Sequence, residues 1–275
     1  MERRGLSVRL DDVELRVEEF GTGPALIALH GGPGLDHRIF GRTLDALGKR
    51  FRVVLCDLRG HGQSALGSAD RWTIEQFSRD VEGLASKLGL SSYNVLAHSF
   101  GVFVALQLAV RAPVALERLV LVGGAPSARF YWGAHDPRIT PEPLSDSEVA
   151  AAFSESLPAC VFDASSESYA DLEACAHEIV FRSAVYNHFA KTRFEDISLT
   201  EDLGKIVCPV LLLSGVDDPV VSSAASRLMR GRIANARHVE FENCGHFPHF
   251  EQRQQFLDMT RGFLIDRYIE SPFGA

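Results

Sequence analysis

Short, largely apolar runs that end in glycine-rich loops constrain the fold of this chain more than any other feature. Ala25–Leu29 leads into His30-Gly31-Gly32-Pro33-Gly34, and Arg52–Cys56 leads into a loop that begins at Asp57. Runs of roughly four to eight residues without polar alternation are typical of parallel strands buried on both faces of a sheet. Further strands are predicted at Tyr93–Ala97, Leu116–Val122, Val210–Ser214 and Arg237–Phe241. The chain therefore predicts a mostly parallel central sheet.

Helical patterns separate these strands. Apolar residues recur at helical spacing from Ile74 to Leu88, after a capping-box sequence that begins at Thr73. Because parallel strands need crossover connections, this alternation predicts an α/β fold with helices on both faces of the sheet. Further helices are predicted at Phe100–Arg111, Ser222–Gly231 and Pro248–Tyr268, and a hairpin at the start pairs Leu6–Leu10 with Val13–Phe20.

The alternation of strands and helices stops between residues 127 and 205. This interval is polar and aromatic, lacks an apolar strand run, and carries helical patterns at Asp146–Ser156, Tyr169–Arg182 and Val185–Lys191. We therefore predict a core built from residues 1–126 and 206–275, interrupted by a helical cap of residues 127–205.

Composition restricts the partners and the compartment. The chain has 275 residues, and 36 Asp and Glu against 28 Lys and Arg give a net charge of −8. This balance argues against nucleic acid as a partner, because phosphate binding requires basic patches. No apolar run reaches the length of about eighteen residues that a membrane span needs, and no signal peptide is visible. The five scattered cysteines favour free thiols in the cytoplasm over disulfides or a zinc site.

A serine stands where a predicted strand meets a predicted helix. In Ala97-His98-Ser99-Phe100-Gly101, small residues lie two positions on either side of Ser99. Small side chains there let the strand and helix approach closely, so that the turn is sharp and the serine hydroxyl projects from the sheet edge. A serine that caps an ordinary helix is the alternative if the short motif is taken alone. The strand–turn–helix context favours a nucleophile.

A nucleophilic serine needs a base, and the base needs an acid that orients it. His246 follows the strand predicted at Arg237–Phe241, and Asp217 and Asp218 follow the strand before it. Hydrolases with a serine at such a turn carry the acid and then the histidine later in the chain. The side chains of adjacent residues point in different directions, so only one aspartate can reach His246. The residues alone leave that choice open.

Five motifs, in order, resemble the α/β-hydrolase superfamily and, within it, the prolyl iminopeptidase-like serine hydrolases that carry a helical cap. They are His30-Gly31-Gly32-Pro33-Gly34, Asp57-Leu58-Arg59-Gly60-His61-Gly62-Gln63-Ser64, Ala97-His98-Ser99-Phe100-Gly101, Gly215-Val216-Asp217-Asp218 and Gly245-His246. The resemblance implies the α/β-hydrolase fold, with Asp218 as the acid. It also implies an oxyanion hole formed by the backbone N–H groups of Gly32 and Phe100, without a metal or an organic cofactor.

The resemblance leaves the substrate open. It implies a hydrolase that cleaves an ester or amide bond of a small molecule or short peptide. Prolyl iminopeptidases hold the free N-terminus of their substrate with glutamates, but Tyr186 stands at one such position here, with Glu195 nearby. Trp132, Tyr186 and Glu195 are therefore the candidate substrate-binding residues. A carboxylesterase or lactonase is the alternative, and a non-catalytic binding relative is a less favoured one. The sequence predicts no oligomeric state.

Aromatic residues of the cap are the remaining candidates for an acyl pocket. They are Phe130, Tyr131, Trp132, Phe153, Phe162, Phe181, Tyr186 and Phe189. Packing of the cap onto the core is the ordinary role of such residues, and we expect most of them to serve it.

Overall fold

The computed structural model describes residues 1–111, 114–131, 143–191 and 197–265. Its strands are β1 (Arg4–Arg9), β2 (Glu14–Phe20), β3 (Ala25–Leu29), β4 (Arg52–Cys56), β5 (Tyr93–His98), β6 (Leu116–Val122), β7 (Val210–Gly215) and β8 (Ala236–Phe241). In the described residues these strands form one eight-stranded sheet in the order β1-β2-β4-β3-β5-β6-β7-β8. The β1–β2 and β2–β4 pairs are antiparallel and the others are parallel.

Helices lie between and after these strands. They are α1 (Ile74–Lys87), α2 (Gly101–Val110), α3 (Asp146–Ser156), α4 (Glu167–Ala176), α5 (Ser183–Lys191), α6 (Ala224–Arg232), α7 (Pro248–Glu251) and α8 (Arg253–Ile265). Short 3₁₀ turns occupy His37–Phe40, Thr43–Lys49, Ala69–Arg71, Ala128–Phe130, Leu157–Cys160 and Thr200–Lys205. Within the described ranges we find no helix with both the length and the apolar content that a bilayer crossing requires.

Side chains of each central strand point alternately into two apolar layers. In β3, Ile27 and Leu29 pack in one layer with residues of α1 and α2, whereas Leu26 and Ala28 pack in the other with residues of α8. This division follows from the two-residue period of a strand. The predicted mostly parallel sheet with helices on both faces is therefore confirmed.

Two predicted helices differ from those that the structure describes. The helix predicted at Tyr169–Arg182 ends at Ala176, because the N–H of Val180 bonds to Asp36 Oδ2 (3.0 Å) and that of Arg182 to the Gly34 carbonyl (2.8 Å). These donors bind the core instead of extending the helix. The helix predicted at Pro248–Tyr268 is divided into α7 and α8 at Gln252, whose φ of −125° and ψ of 44° leave the helical region. Residues 266–268 of this prediction lie outside the described residues.

Helices α3, α4 and α5 come between β6 and β7 in the chain, where the cap is predicted. Arg182 connects this region to the core, since its Nε donates to the Gly62 carbonyl (2.7 Å) as well as its N–H to Gly34. The region between β6 and β7 therefore contacts the loops that follow β3 and β4. The division at residues 127 and 205 stays a prediction.

Candidate active site

Ser99 occupies the turn between β5 and α2. Its φ is 51°, a left-handed conformation that residues other than glycine rarely adopt and that only a well-packed turn maintains. The turn is tight because α2 starts directly against β3: a Cβ atom at Gly101 would lie 2.6 Å from the Leu29 carbonyl oxygen. The Ser99 N–H donates to the carbonyl of Val122 (2.9 Å). These contacts hold the Ser99 side chain at the end of the sheet, where it is 6% exposed.

His246 and Asp218 lie beside Ser99, as the sequence predicts. His246 Nε2 is 3.0 Å from Ser99 Oγ, and His246 Nδ1 is 2.9 Å from Asp218 Oδ2. Both separations match hydrogen bonds. The side chains of His246 and Asp218 are 5% and 1% exposed, so this chain of contacts is shielded from water. The ring also packs against Gly123, where a Cβ atom would lie 3.3 Å from Nδ1.

The structure distinguishes between the two adjacent aspartates. Asp218 Oδ1 accepts hydrogen bonds from the N–H groups of Val220 (2.8 Å) and Val221 (3.0 Å), which leaves Oδ2 directed at His246. Asp217 is exposed, and its N–H donates to the Cys244 carbonyl (2.9 Å). Asp218 is therefore the aspartate in contact with the imidazole.

The glycine-rich loop after β3 lies against the serine. A Cβ atom at Gly31 would come within 3.3 Å of Ser99 Cβ, and the next residue, Gly32, has a φ of 145° that favours glycine. On the other side of Ser99, Phe100 has helical dihedral angles and directly precedes α2. Gly31, which precedes the predicted oxyanion residue Gly32, and Phe100 are therefore next to Ser99, and the oxyanion role of Gly32 and Phe100 stays a prediction.

Neutral imidazoles surround the site. Burial, with the neighbouring rings of His246 and His249, lowers the pKa of His98 well below its usual range. His98 Nε2 lies 3.0 Å from the His246 carbonyl oxygen, so the neutral ring donates to the main chain of His246. Burial similarly lowers the pKa of His61 and of His249 to about 3. These three imidazoles are uncharged at neutral pH and act through packing and hydrogen bonds.

A buried charged cluster lies behind the glycine-rich loop. His37 Nδ1 is 2.6 Å from Asp57 Oδ1, and His37 Nε2 is 3.4 Å from Glu18 Oε2. Burial alone would lower the pKa of His37, but its hydrogen bonds with Asp57 and Glu18 raise that pKa to about 9. Burial likewise opposes ionisation of Asp57, but the hydrogen bond from His37 lowers its pKa to about 2.

Two residues of this cluster, His37 and Asp57, form with Asp36 the one group of described residues that brings enough ligand atoms together for a metal ion. Single atoms of Asp36, His37 and Asp57 lie within 4.8 Å of one another. However, both ring nitrogens of His37 already have carboxylate partners, Nδ1 with Asp57 (2.6 Å) and Nε2 with Glu18 (3.4 Å). We therefore describe these residues as an ion cluster.

Of the predicted substrate-binding residues, Tyr186 is the one that the structure describes. A Cβ atom at Gly34 would lie 3.2 Å from Tyr186 Cβ, so this half-buried residue of α5 packs on the glycine-rich loop. Trp132 and Glu195 lie outside the described residues.

Tyr131 is closer to the chemistry than the sequence indicates. Its ring stacks on Phe103 with centroids 5.4 Å apart, and its main chain forms a β-bridge with Val221. Burial raises the pKa of its hydroxyl, which interacts with Ser99 and with the main chain of Ala125. The sequence marks Tyr131 only as one of several aromatic residues, since no motif reports a contact made by the first residues after a strand.

Comparisons with known proteins agree with this architecture. The family described as "Alpha/beta hydrolase family" matches residues 26–259. A pimeloyl-[acyl-carrier protein] methyl ester esterase of Nitrosomonas europaea is 30% identical over 257 residues, covering 88% of this chain and 96% of the relative. A proline iminopeptidase of Pestalotiopsis fici is 27% identical and covers 88% and 92% of the two chains.

One solved structure has a similar fold over nearly the whole chain. The enol-lactonase of Burkholderia xenovorans superposes with a TM-score of 0.78 at 24% identity, covering 95% of this chain and all of that one (100%). The family match spans most of the chain and includes the turn at Ser99 and the loops that carry Asp218 and His246. This chain belongs to the alpha/beta hydrolase family.

Proposed function

We propose that this protein is a serine hydrolase that cleaves an ester or amide bond of a small substrate through an acyl-enzyme. The observation that carries the proposal is the sequence of contacts from Ser99 Oγ to His246 (3.0 Å) and from His246 to Asp218 (2.9 Å). His246 accepts the serine proton while Oγ attacks the carbonyl carbon, and Asp218 stabilises the imidazolium that forms. His246 then protonates the leaving group and activates the water that hydrolyses the acyl-enzyme.

The oxyanion of the tetrahedral intermediate is bound, in this proposal, by the backbone N–H groups of Gly32 and Phe100. The close approach of Gly31 to Ser99 and the position of Phe100 at the start of α2 support this assignment. Preorganised donors of this kind each contribute roughly 10²–10³ in rate in other serine hydrolases. Because these are main-chain groups, replacement of the Phe100 side chain does not remove its donor.

Within this class, an ester is the substrate that the described residues favour. A peptidase that requires a free N-terminus needs a carboxylate to bind the ammonium group, but Tyr186 offers a phenol beside the glycine-rich loop, and Glu178 is exposed. The alternative, an iminopeptidase-like activity, is favoured by the His30-Gly31-Gly32-Pro33-Gly34 motif and by relatives named proline iminopeptidase. It would require a carboxylate such as Glu195.

Turnover of a short-chain p-nitrophenyl ester and of a proline arylamide, measured side by side, tests the proposal. We expect ester hydrolysis that falls at least roughly 10³-fold in Ser99→Ala, because the covalent route is lost. Ser226→Ala, which removes another buried hydroxyl, on α6, is the matched control and should keep full activity. Ester turnover that survives in Ser99→Ala would refute the mechanism. Turnover of the arylamide, but not of its N-acetylated form, would instead establish the iminopeptidase alternative.

A further inference from the structure

The loop that carries His246 is held by its backbone N–H groups. Three successive residues donate: Gly245 to Glu251 Oε2 (2.9 Å), His246 to the carbonyl of Cys160 (2.8 Å) and Phe247 to Glu251 Oε1 (3.0 Å). Two of these acceptors are the two oxygens of one carboxylate. The third is a main-chain carbonyl of the region between β6 and β7. The position of the imidazole therefore depends on both Glu251 and Cys160.

Glu251 also holds the cap segment that supplies this carbonyl. Its Oε2 accepts a hydrogen bond from the N–H of Phe162 (2.7 Å), so the same oxygen serves Phe162 and Gly245. The two segments are in close contact, since a Cβ atom at Gly245 would lie 2.5 Å from the Cys160 oxygen and 2.8 Å from Val161 Cα. Segment 160–162 thus lies directly on the His246 loop.

We propose that Glu251 is a positioning residue that clamps the His246 loop to the cap segment 160–162. The inference rests on the proposed function, in which His246 is the base. An ionised carboxylate suits this place because it accepts hydrogen bonds at both oxygens and donates none, whereas an amide directs an NH₂ group at one of the three N–H donors.

The short helix α7 keeps the carboxylate in place. The N–H of Glu251 donates to the Phe247 carbonyl (2.9 Å), so the side chain folds back over the loop from which α7 starts. Displacement of the cap segment breaks the bonds from Phe162 to Glu251 and from His246 to Cys160 together. The clamp therefore couples the orientation of His246 to the seating of the cap over the site.

The variant Glu251→Gln tests the clamp by its effect on kcat. We expect kcat for the p-nitrophenyl ester to fall roughly 10- to 100-fold, because small displacements of a reacting group are costly. Binding of an intact ester to Ser99→Ala, with and without Glu251→Gln, should agree within about threefold, since the clamp does not contact substrate. Glu242→Gln is the matched control, because it removes one exposed carboxylate from the same loop and should leave kcat unchanged. An unchanged kcat in folded Glu251→Gln would overturn the proposal.

A second readout does not depend on turnover. The proton between His246 Nδ1 and Asp218 should give a downfield proton resonance in the unmodified protein, and this signal should shift or broaden in Glu251→Gln but not in Glu242→Gln. If Ser99→Ala stays active, the proposed function is wrong. The resonance of the proton between His246 and Asp218 still tests whether Glu251 positions the His246 loop. If Glu251→Gln does not fold, Glu251→Asp decides, since it keeps the charge but withdraws both oxygens. An unaltered resonance in the folded variant contradicts the clamp.

Discussion

Two adjacent aspartates differ in their contacts because their side chains point in different directions. Asp217 and Asp218 have the same chemistry and adjacent positions, but the Asp218 side chain is 1% exposed and both its oxygens are engaged. The N–H groups of Val220 and Val221 orient one oxygen, which directs the other at His246. The turn after β7 therefore places the Asp218 carboxylate against His246 and leaves Asp217 exposed to solvent.

This difference predicts the behaviour of two conservative variants. Asp218→Asn should lower kcat/KM for the ester by about 10³–10⁴-fold, because an amide favours the wrong imidazole tautomer and cannot stabilise the imidazolium. Asp217→Asn, the matched control, should stay within about threefold of the unmodified protein, because Asp217 does not contact His246. Steady-state kinetics of both variants check the assignment. A larger loss in Asp217→Asn would transfer the role to that residue.

The helices and strands that a local sequence pattern specifies could be predicted from the sequence. The buried strands follow from apolar runs such as Ala25–Leu29, and the start of α1 follows from Thr73, whose side chain accepts from the Gln76 N–H (3.1 Å). The order of motifs also predicted that Ser99, His246 and an aspartate would meet. The end of a helix was less predictable where contacts with residues distant in sequence determine it.

The region between β6 and β7 shows why the other features could not be predicted from the sequence. The end of α4 depends on hydrogen bonds to Asp36 and Gly34, which are more than 140 positions away in sequence, and the β-bridge of Tyr131 with Val221 depends on the path of the chain after β6. The hydrogen bond from the Phe162 N–H to Glu251 likewise joins segments that are 89 positions apart. No local pattern reports such contacts, because each depends on tertiary packing.

The junction of β5 and α2 yields a prediction at this scale. Gly101→Ala should reduce both stability and ester turnover, because its methyl group would lie 2.6 Å from the Leu29 oxygen and 2.7 Å from that of His30, so α2 must shift. We expect a loss of about 1–3 kcal/mol in the free energy of unfolding. Gly231→Ala is the control: it lies in α6 with open space around it and should be neutral or slightly stabilising. Urea unfolding of both variants measures the difference, and equal stability would contradict the close approach.

Across the whole molecule, buried charges join loops that are distant in sequence. Asp57, at the end of β4, accepts from the N–H groups of His37 (3.0 Å) and Gln63 (2.9 Å), and the His37 ring bridges Asp57 to Glu18 in β2. The loop after β3, which carries Gly32, is thereby tied to the loop after β4 and to the antiparallel edge of the sheet. The stability of this connection between the loops depends on the imidazole of His37, which keeps its proton at neutral pH.

This dependence predicts an alkaline loss of stability. The pKa of His37 is raised from 6.5 to about 9 in the folded protein, so its contribution is complete below about pH 6.5 and is lost as the pH rises through 9. The shift corresponds to at most about 3 kcal/mol. In His37→Gln, which cannot carry the charge, the free energy of unfolding should be lower at pH 6.5 and depend less on pH.

Urea unfolding of the unmodified protein and of His37→Gln between pH 6 and 10 measures this contribution. It is the difference between the two free energies of unfolding at each pH, in which the effects of groups that titrate in both proteins cancel. The difference should shrink steadily from pH 7 upward and be smallest near pH 10, because by then the folded protein has also lost the His37 proton. Ester turnover should decline over the same range, because loosening of the Gly32 loop would displace the proposed oxyanion donor on Gly32. A constant difference would mean that His37 contributes as a neutral packing residue and that the ion cluster does not hold the loops together.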